Sequence, residues 1–479
     1  MRTKIVGLVD CDSFFASCEK VFRPDWTNKP LVVLSNNDGC VVARSAEAKA
    51  LNIPMGEPYF RLRSFAQARG VVVRSANYAL YGDMSRRVMQ TLAQWTPSVD
   101  VYSIDEAFMD LSGRFQDRDG QYRGEESKRS VEPSALDMLE LRRRVAAWPD
   151  GPALGELPEQ TREELEDVAQ DIVTTTRKWT GVPVSLGLGP TRTLAKVASR
   201  LAKDEFETTG KKYAILFGKE ERIAALRRLP VGKVWGVGRR LRDVFEKSGL
   251  KTAYDLAKCD PKFIRQSFTI EQERTVRELR GELVYDAATS PQPRRSTQVS
   301  RSFGEPLLEL DELEKPISTF ACRIGARLRE HGLVAGGLYV YLETSRFSQT
   351  EPFRHASRAT NFARPTNLTP EILSTALKLL RQAYAHGCEY KRAGVVALEL
   401  VDEATAGQRR YLFEPEPERT PERRERDRVV SNVLDALNAR FGKNAIFFAS
   451  EGVDRPWRPN SSFISPSYTT DWNELPTAW

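Results

Sequence analysis

Residues 5–15 read Ile5-Val6-Gly7-Leu8-Val9-Asp10-Cys11-Asp12-Ser13-Phe14-Phe15. Five apolar residues in a row that stop on an acid predict a strand buried on both faces, with Asp10 at its end. The stretch from Phe14 to Val21 then predicts a helix, with Asp12 or Ser13 as its N-cap. Further along, Lys29-Pro30 precedes a second apolar run, Leu31-Val32-Val33-Leu34, and Ser35-Asn36-Asn37-Asp38-Gly39 is a dense turn signal. Residues Ala43–Leu51 read as helical. Val99–Ile104 and Ala107–Leu111 read as two short strands, which places Asp105-Glu106 at the tip of a tight hairpin. Val182–Leu188 is another strand, and Leu194, Val197, Ala198 and Leu201 fall at the spacing of an amphipathic helix behind it.

The chain has 479 residues, too many for one core; at about 100–200 residues per domain, three or four domains are expected. Lys and Arg exceed Asp and Glu by 72 to 65, a formal +7, which suits a polyanionic partner without establishing one. No apolar run reaches the roughly 18 residues of a membrane span, and the first residues lack a signal-peptide layout, so a cytoplasmic protein is expected. Six cysteines without a CxxC pair predict reduced thiols, and three histidines in no recognisable spacing disfavour a zinc hydrolase and a serine or cysteine triad. Any metal chemistry therefore falls to carboxylates. Residues at about 114–160 are polar and rich in charge, Gly and Pro, predicting a surface insertion with one helix, Ala135–Trp148. Glu414–Arg428 reads as a charged linker running into a helix.

Three acids stand out by position. Asp10 ends a buried strand, and Asp105 and Glu106 share a hairpin tip. Three carboxylates brought that close repel one another unless cations neutralise them. Mg²⁺ suits such a site, being hard and oxygen-liganded. Two ions roughly 3.5–4 Å apart would serve an in-line phosphoryl displacement. Spacing alone leaves the ordinary alternative open, an acid at a strand end and a solvated turn.

Asp10-Cys11-Asp12-Ser13-Phe14-Phe15-Ala16-Ser17-Cys18-Glu19, the run Ser35-Asn36-Asn37-Asp38-Gly39-Cys40 continuing to Leu51, and Tyr102-Ser103-Ile104-Asp105-Glu106-Ala107-Phe108 together resemble the Y-family translesion DNA polymerases, and within them the UmuC branch. The motifs are long and co-linear. The resemblance implies an α+β multidomain fold, a right-hand polymerase: palm and fingers over 1–225 with fingers at about 25–80, a helix-hairpin-helix thumb over 226–290, a little finger over 291–405, and over 406–479 a clamp-peptide segment, a charged linker and a UmuC-like tail. It implies error-prone addition of deoxynucleotides to a primer 3′-OH opposite damaged template in the SOS response. The competing reading is a catalytically silent DNA-binding or recruiting subunit that keeps the fold.

By the same resemblance, Asp10, Asp105, Glu106 and the Cys11 carbonyl would hold two Mg²⁺ ions, with Mn²⁺ as a substitute. Phe15 aligns with the family's steric gate, a ring that leaves no room for a ribose 2′-OH, with Phe14 beside it in the nucleotide pocket; read from the residues alone, both are plain core aromatics. Arg44, Lys49 and Lys203 would contact the triphosphate. Lys196 and Arg200, which share a basic stripe with Lys203, are expected on a solvated helix face. Residues 229–241 resemble a helix-hairpin-helix in which Gly236 and Gly238 permit a tight turn, and Lys233, Arg239 and Arg240 flank it. Arg301, with Arg294 and Arg295, would touch the DNA backbone from the little finger, built on strands Gly336–Leu342 and Gly394–Leu400 and helices Ile317–His331 and Pro370–His386. Gln408, Leu412 and Phe413 resemble a sliding-clamp peptide. Expected partners are primer–template DNA, a deoxynucleoside triphosphate, the clamp, UmuD′-like accessory subunits and a RecA filament.

Overall fold

The computed structural model describes residues 4–115, 157–285, 294–348, 352–406, 420–442, 444–454, 457 and 460–475. The helix expected at Ala135–Trp148 and the clamp-peptide residues Gln408, Leu412 and Phe413 lie outside them. The chain divides into two units. One comprises residues 1–34, 40–290 and 464–479; the other comprises 35–39 and 291–463.

The first unit is built on a five-stranded sheet, ordered β5-β6-β1-β7-β8. Its centre is β1 (Val6–Cys11), paired antiparallel with β6 (Glu106–Asp110) and β7 (Val184–Gly189). Strand β5 (Val99–Val101) closes the hairpin with β6, and β8 (Tyr213–Ile215) runs parallel to β7. The central strands are buried, as their unbroken apolar runs require. The helix Arg192–Asp204 lies against β7. Its start is fixed by Thr191, whose hydroxyl accepts from the Leu194 amide at 3.2 Å, and its approach depends on Gly187, where a Cβ would fall 2.0 Å from the Ser199 nitrogen. Leu194, Val197 and Ala198 of this helix enter a second apolar core with Leu226, Phe245, Leu256 and Val276, the core of the expected thumb.

A smaller sheet, β3-β2-β4, is formed by Leu31–Leu34 (β2), Val41–Arg44 (β3) and Val72–Ser75 (β4). Here the structure corrects the reading of Ala43–Leu51 as one helix. Val41–Arg44 pairs with β2, and the helix is only Ala46–Ala50, started by Ser45, whose hydroxyl accepts from the Ala48 amide at 3.3 Å. No Gly or Pro punctuates the change; the capping serine is its only mark.

The second unit carries a four-stranded antiparallel sheet, ordered β11-β10-β12-β9, from Ser296–Leu307 (β9), Leu333–Thr344 (β10), His355–Thr366 (β11) and Tyr390–Asp402 (β12). The helices Leu310–Glu330 and Thr369–Ala383 bury one apolar core with it. Strands β9 and β11 are not legible in the sequence: both are edge strands with partly exposed, polar sequences. This unit runs on past residue 405. The helix Pro421–Phe441 is tied in by Asp435, which receives Arg329 at 2.7 and 2.9 Å, and Trp457 is buried against Phe320 in the same core. Residues Ser35–Gly39 also belong to this unit: Asn37 donates to the Ser302 and Phe303 carbonyls at 2.8 and 3.1 Å. None of the six cysteines is in a disulfide. No helix among the described residues is long and apolar enough to cross a membrane.

Candidate active site

Antiparallel pairing of β1 with β6 sets Asp10 directly opposite Glu106. Asp105 precedes Glu106 in the turn, and its carbonyl accepts from the Cys11 amide at 2.8 Å. Pairing of β1 with β6, together with the turn before β6, therefore places all three acids on neighbouring backbone positions, with Glu106 as the first residue of β6 and only Asp105 in the turn. Their carboxylates do not converge into one cage, however; among the described residues no three Asp, Glu, His or Cys side chains form a ready ligand group. Each acid is turned to a partner of its own. Asp10 meets the Lys203 ammonium at 2.5 Å, Glu106 meets Lys196 at 2.9 Å, and Asp105 accepts from the Ser103 hydroxyl at 2.6 Å. Mutual repulsion is relieved by two lysines from one helix.

Asp10 records the electrostatic tension. Burial pushes its carboxyl up to about 6 against the pull of Lys203, and the charges of Glu106 and Asp105 add to the rise. A site that resists its own negative charge and offers only hard oxygen donors fits a hard divalent cation. The chemistry of these residues suits the metal the motifs imply; Asp10, Asp105, Glu106 and the Cys11 carbonyl are the groups that would hold it.

Basic groups gather beside the acids. Lys203 also lies 3.6 Å from Asp12, and Lys212 meets Asp12 at 3.0 Å. Lys49 donates to the Ser13 hydroxyl at 2.9 Å. Its pKa is lowered, first by burial and then by the charge of Lys203, with Arg44 and Lys212 adding to the effect. Lys203, Arg44 and Lys212 all act electrostatically on Lys49, a gathering of positive charge that suits a polyanion. Of the two N-cap candidates, Ser13 takes the position, with φ 49° and no side-chain cap bond; the Asp12 carboxylate instead accepts from Ser185 at 2.8 Å and from Lys212. Arg44 points its guanidinium at the Ile53 carbonyl.

Phe14 and Phe15 part ways. Phe14 is buried in the core, which agrees with the reading of it from the residues alone as a core aromatic. Phe15 is half-buried, and its ring stacks on Tyr81 with centroids 4.5 Å apart and planes 14° from parallel.

Two lysines depart from what the sequence predicts. Lys196, expected on a solvated face, grips Glu106 with its ammonium over the rings of Tyr102 and Trp235, at 4.9 and 5.4 Å. Lys212, just before β8, carries no signal in the sequence. Arg200, paired with Asp204 at 2.7 Å on an exposed face, is where the stripe places it.

In the expected thumb, Val231, Val234 and Val237 are buried while Lys233, Gly236, Gly238, Arg239 and Arg240 are exposed. Gly236 has φ 85°, which a side chain would strain, and Gly238 precedes the helix Arg239–Lys247. Backbone and basic side chains thus share one exposed turn. Arg301 lies half-buried on β9 opposite Ala393; Arg294 and Arg295 are exposed at its start.

Comparison with known proteins matches residues 9–200 to the impB/mucB/samB family, 294–410 to that family's C-terminal domain, and 429–478 to a domain of unknown function. Protein UmuC of Salmonella typhimurium is 36% identical over 470 residues, covering 98% of this chain and 99% of that one. Protein MucB of Escherichia coli is 32% identical over 473 residues, covering 98% and 99%. DNA polymerase IV 1 of Mesorhizobium japonicum is 24% identical over 439 residues, covering 91% and 84%. Among solved structures, a Y-family DNA polymerase chimera superposes with a TM-score of 0.60 at 16% identity, over 83% of this chain and 99% of its own.

Proposed function

The chain belongs to the impB/mucB/samB family, the UmuC branch of the Y-family DNA polymerases, and is a DNA-directed polymerase of translesion synthesis and SOS mutagenesis; we propose that it extends a primer 3′-OH opposite damaged template with low fidelity, using Asp10, Asp105 and Glu106 as its metal-holding acids. The observation that carries this is the register of Asp10 against Glu106, with Asp105 adjoining and Lys203 and Lys196 supplying countercharge.

Dependence on a divalent metal follows from the family. Two Mg²⁺ ions, or Mn²⁺ in their place, held by the three acids and the Cys11 carbonyl, would activate the 3′-OH and neutralise charge on the transferred phosphate. The protein's own groups do the rest. Lys203, Lys49 and Lys212 bind the triphosphate and orient it; Lys203 is free to leave Asp10 for a phosphate oxygen because its helix, not the ion pair, fixes its position. Arg44 holds the backbone at Ile53 beneath the pocket. Phe15 closes the sugar side against a ribose. The exposed turn with Lys233, Gly236, Gly238 and Arg239 grips DNA phosphates without reading bases, and Arg301 with its neighbours does so from the little finger. The sliding clamp, through Gln408, Leu412 and Phe413, and UmuD′-like subunits and a RecA filament are the proposed partners of the enzyme, working in the cytoplasm.

Primer extension with Mg²⁺ tests the reading. Wild type should extend the primer and Asp105→Ala should lose more than about 100-fold, since even the outer partners of metal ligands are worth 10–100-fold. No extension by wild type would favour a DNA-binding subunit without catalysis, and equal extension by both proteins would overturn the assignment of Asp105 as a metal-holding acid.

A further inference from the structure

The segment matched to a domain of unknown function packs against the helices that carry Phe15 and Tyr81. At Ile464 it bridges Ser75 of β4 in parallel. The next residue, Ser465, is buried, and its hydroxyl donates to Glu19 Oε1 at 3.0 Å. Asn77 Nδ2 donates to the Ser465 carbonyl and hydroxyl at 3.1 and 3.2 Å. Asn77 is the N-cap of the helix Tyr78–Leu92, accepting from the Leu80 amide at 3.2 Å.

Glu19 lies on the helix Phe14–Val21 with no exposed surface, and its Oε1 also accepts from the Tyr81 hydroxyl at 2.7 Å. Its Oε2 has no hydrogen-bond partner, so the two hydroxyls on Oε1 are what orient the carboxyl. Tyr81 in turn presents its ring flat against Phe15. Four residues therefore form one line of direct contacts, from Ser465 through Glu19 and Tyr81 to Phe15. Three residues further along the tail, Tyr468 stacks on Phe22 with centroids 4.7 Å apart, pinning the segment just beyond the far end of the helix that carries Phe15.

We propose that Ser465 is a positioning residue for sugar selection, holding Glu19 and thereby Tyr81 so that the Phe15 ring stays where it excludes a 2′-hydroxyl. This rests on the reading of Phe15 as the sugar gate. Selection by clash requires that the ring not yield: a displacement of a fraction of an ångström makes room for an oxygen. Phe15 sits in the first turn of an eight-residue helix, and the ring stacked behind it is Tyr81. Tyr81 is fully buried in the core, so packing confines its ring and the bond from its hydroxyl to Glu19 fixes the ring's final position. Its anchor is a buried carboxyl that would itself turn if it lost one of its two donors. Ser465 supplies that second donor and also receives the residue that caps the Tyr81 helix. The tail thus acts on the pocket without touching the nucleotide.

The test is the ratio of ribonucleotide to deoxyribonucleotide kcat/KM in primer extension by the full chain, for Ser465→Ala, Tyr81→Phe, their double variant and Phe15→Ala beside wild type. Tyr81→Phe keeps the ring and removes only its tether. Each of the two single variants should raise the ratio about fivefold, the effect of losing one hydrogen bond of ordinary net strength. The double variant should rise no further than either, because both act through Glu19. Phe15→Ala should raise the ratio more than any of them. Ser465→Ala and Tyr81→Phe with wild-type ratios beside an opened Phe15→Ala would overturn the relay and leave the gate standing. Additive singles would overturn it as well, since independent loosening needs no shared carboxyl. If Phe15→Ala itself discriminates as wild type does, the gate reading fails and takes the relay with it. Should Ser465→Ala not fold, Tyr81→Phe alone decides: a raised ratio supports the relay and a wild-type ratio overturns it.

Discussion

Glu19 is a carboxyl with no solvent and only hydroxyl donors, so its charge is poorly supported. Burial raises its pKa, and the hydrogen bonds from Tyr81 and Ser465 and the charge of Arg74 offset only part of that. The folded protein therefore keeps a proton on Glu19 at a pH where the unfolded chain has released it. By linkage, this contribution to stability is fully present below the ordinary glutamate pKa and is lost as pH rises to the elevated folded value. Glu19→Gln deletes the titration while its amide oxygen can still accept from both hydroxyls. Urea unfolding of wild type and Glu19→Gln from about pH 4 to pH 8, around the ordinary carboxylate range, should show wild type losing stability relative to the variant as pH rises. Parallel curves would mean that Glu19 titrates alike in the two states. Asp10, the other carboxyl raised among the described residues, is common to both proteins and cancels in the difference. The residue scale is also where the sequence is least legible. Asp10, Asp105 and Glu106 stand out because a strand end and a hairpin tip are local patterns, although spacing alone does not separate a metal site from a solvated turn. Lys196 gives no such notice: its partner Glu106 is 90 positions away, and a lysine on a basic helical stripe looks the same whether it meets water or a carboxylate.

Among the elements, the helix Arg192–Asp204 has the most to position. One side lies on the sheet through Ala195, against Val6, Leu8 and Phe108, and another enters the thumb core through Leu194, Val197 and Ala198. Lys196 and Lys203 project from it to Glu106 and Asp10. This closeness depends on Gly187, where an added Cβ would meet the Ala195 carbonyl at 2.1 Å and the Ser199 amide at 2.0 Å, both backbone atoms that no rotamer change can move. Gly187→Ala should cost about 1–3 kcal/mol, the usual range for overpacking, and should lower extension beyond the loss of folded protein, because the helix must shift with both lysines on it. Denaturant unfolding and specific activity measured on the same preparation check this; an unchanged midpoint would mean that helix and strand are not packed as closely as described. Strand β7 and this helix are legible because a buried strand and an amphipathic helix have distinct periods. Their close approach is not, since a glycine in an apolar strand does not reveal what lies over it. The merging of β3 with the following helix into one expected helix has the same origin: V-V-A-R-S-A-E-A-K supports either period, and pairing with β2 decides.

For the whole molecule, the telling feature is that the two units have separate apolar cores and that the C-terminal stretch contributes to both. Trp457 is buried with Phe320, Ile317 and Val395 in the core of the second unit, whereas Tyr468 packs with Phe14, Val88 and Leu92 in that of the first. In the sequence, everything after residue 405 reads as a peptide, a linker and a tail, because charge and proline dominate up to about residue 428 and isolated aromatics beyond it form no period. A lone tryptophan can be a core residue without any pattern around it. Units with separate cores predict unfolding that is not a single two-state transition. Trp457→Ala should destabilise the second unit by about 3–5 kcal/mol, as truncation of a large buried aromatic does, and leave the first unit's transition in place. Tyr468→Ala should do the reverse, by about 2 kcal/mol for the buried ring area lost. Hydrogen exchange resolved to peptides distinguishes them: protection should fall in Leu310–Glu330 and β12 for the first variant, and in Phe14–Val21 and Tyr78–Leu92 for the second. A uniform loss of protection across both units in either variant would mean that the molecule unfolds as one body and that the tail's two anchors are energetically a single one.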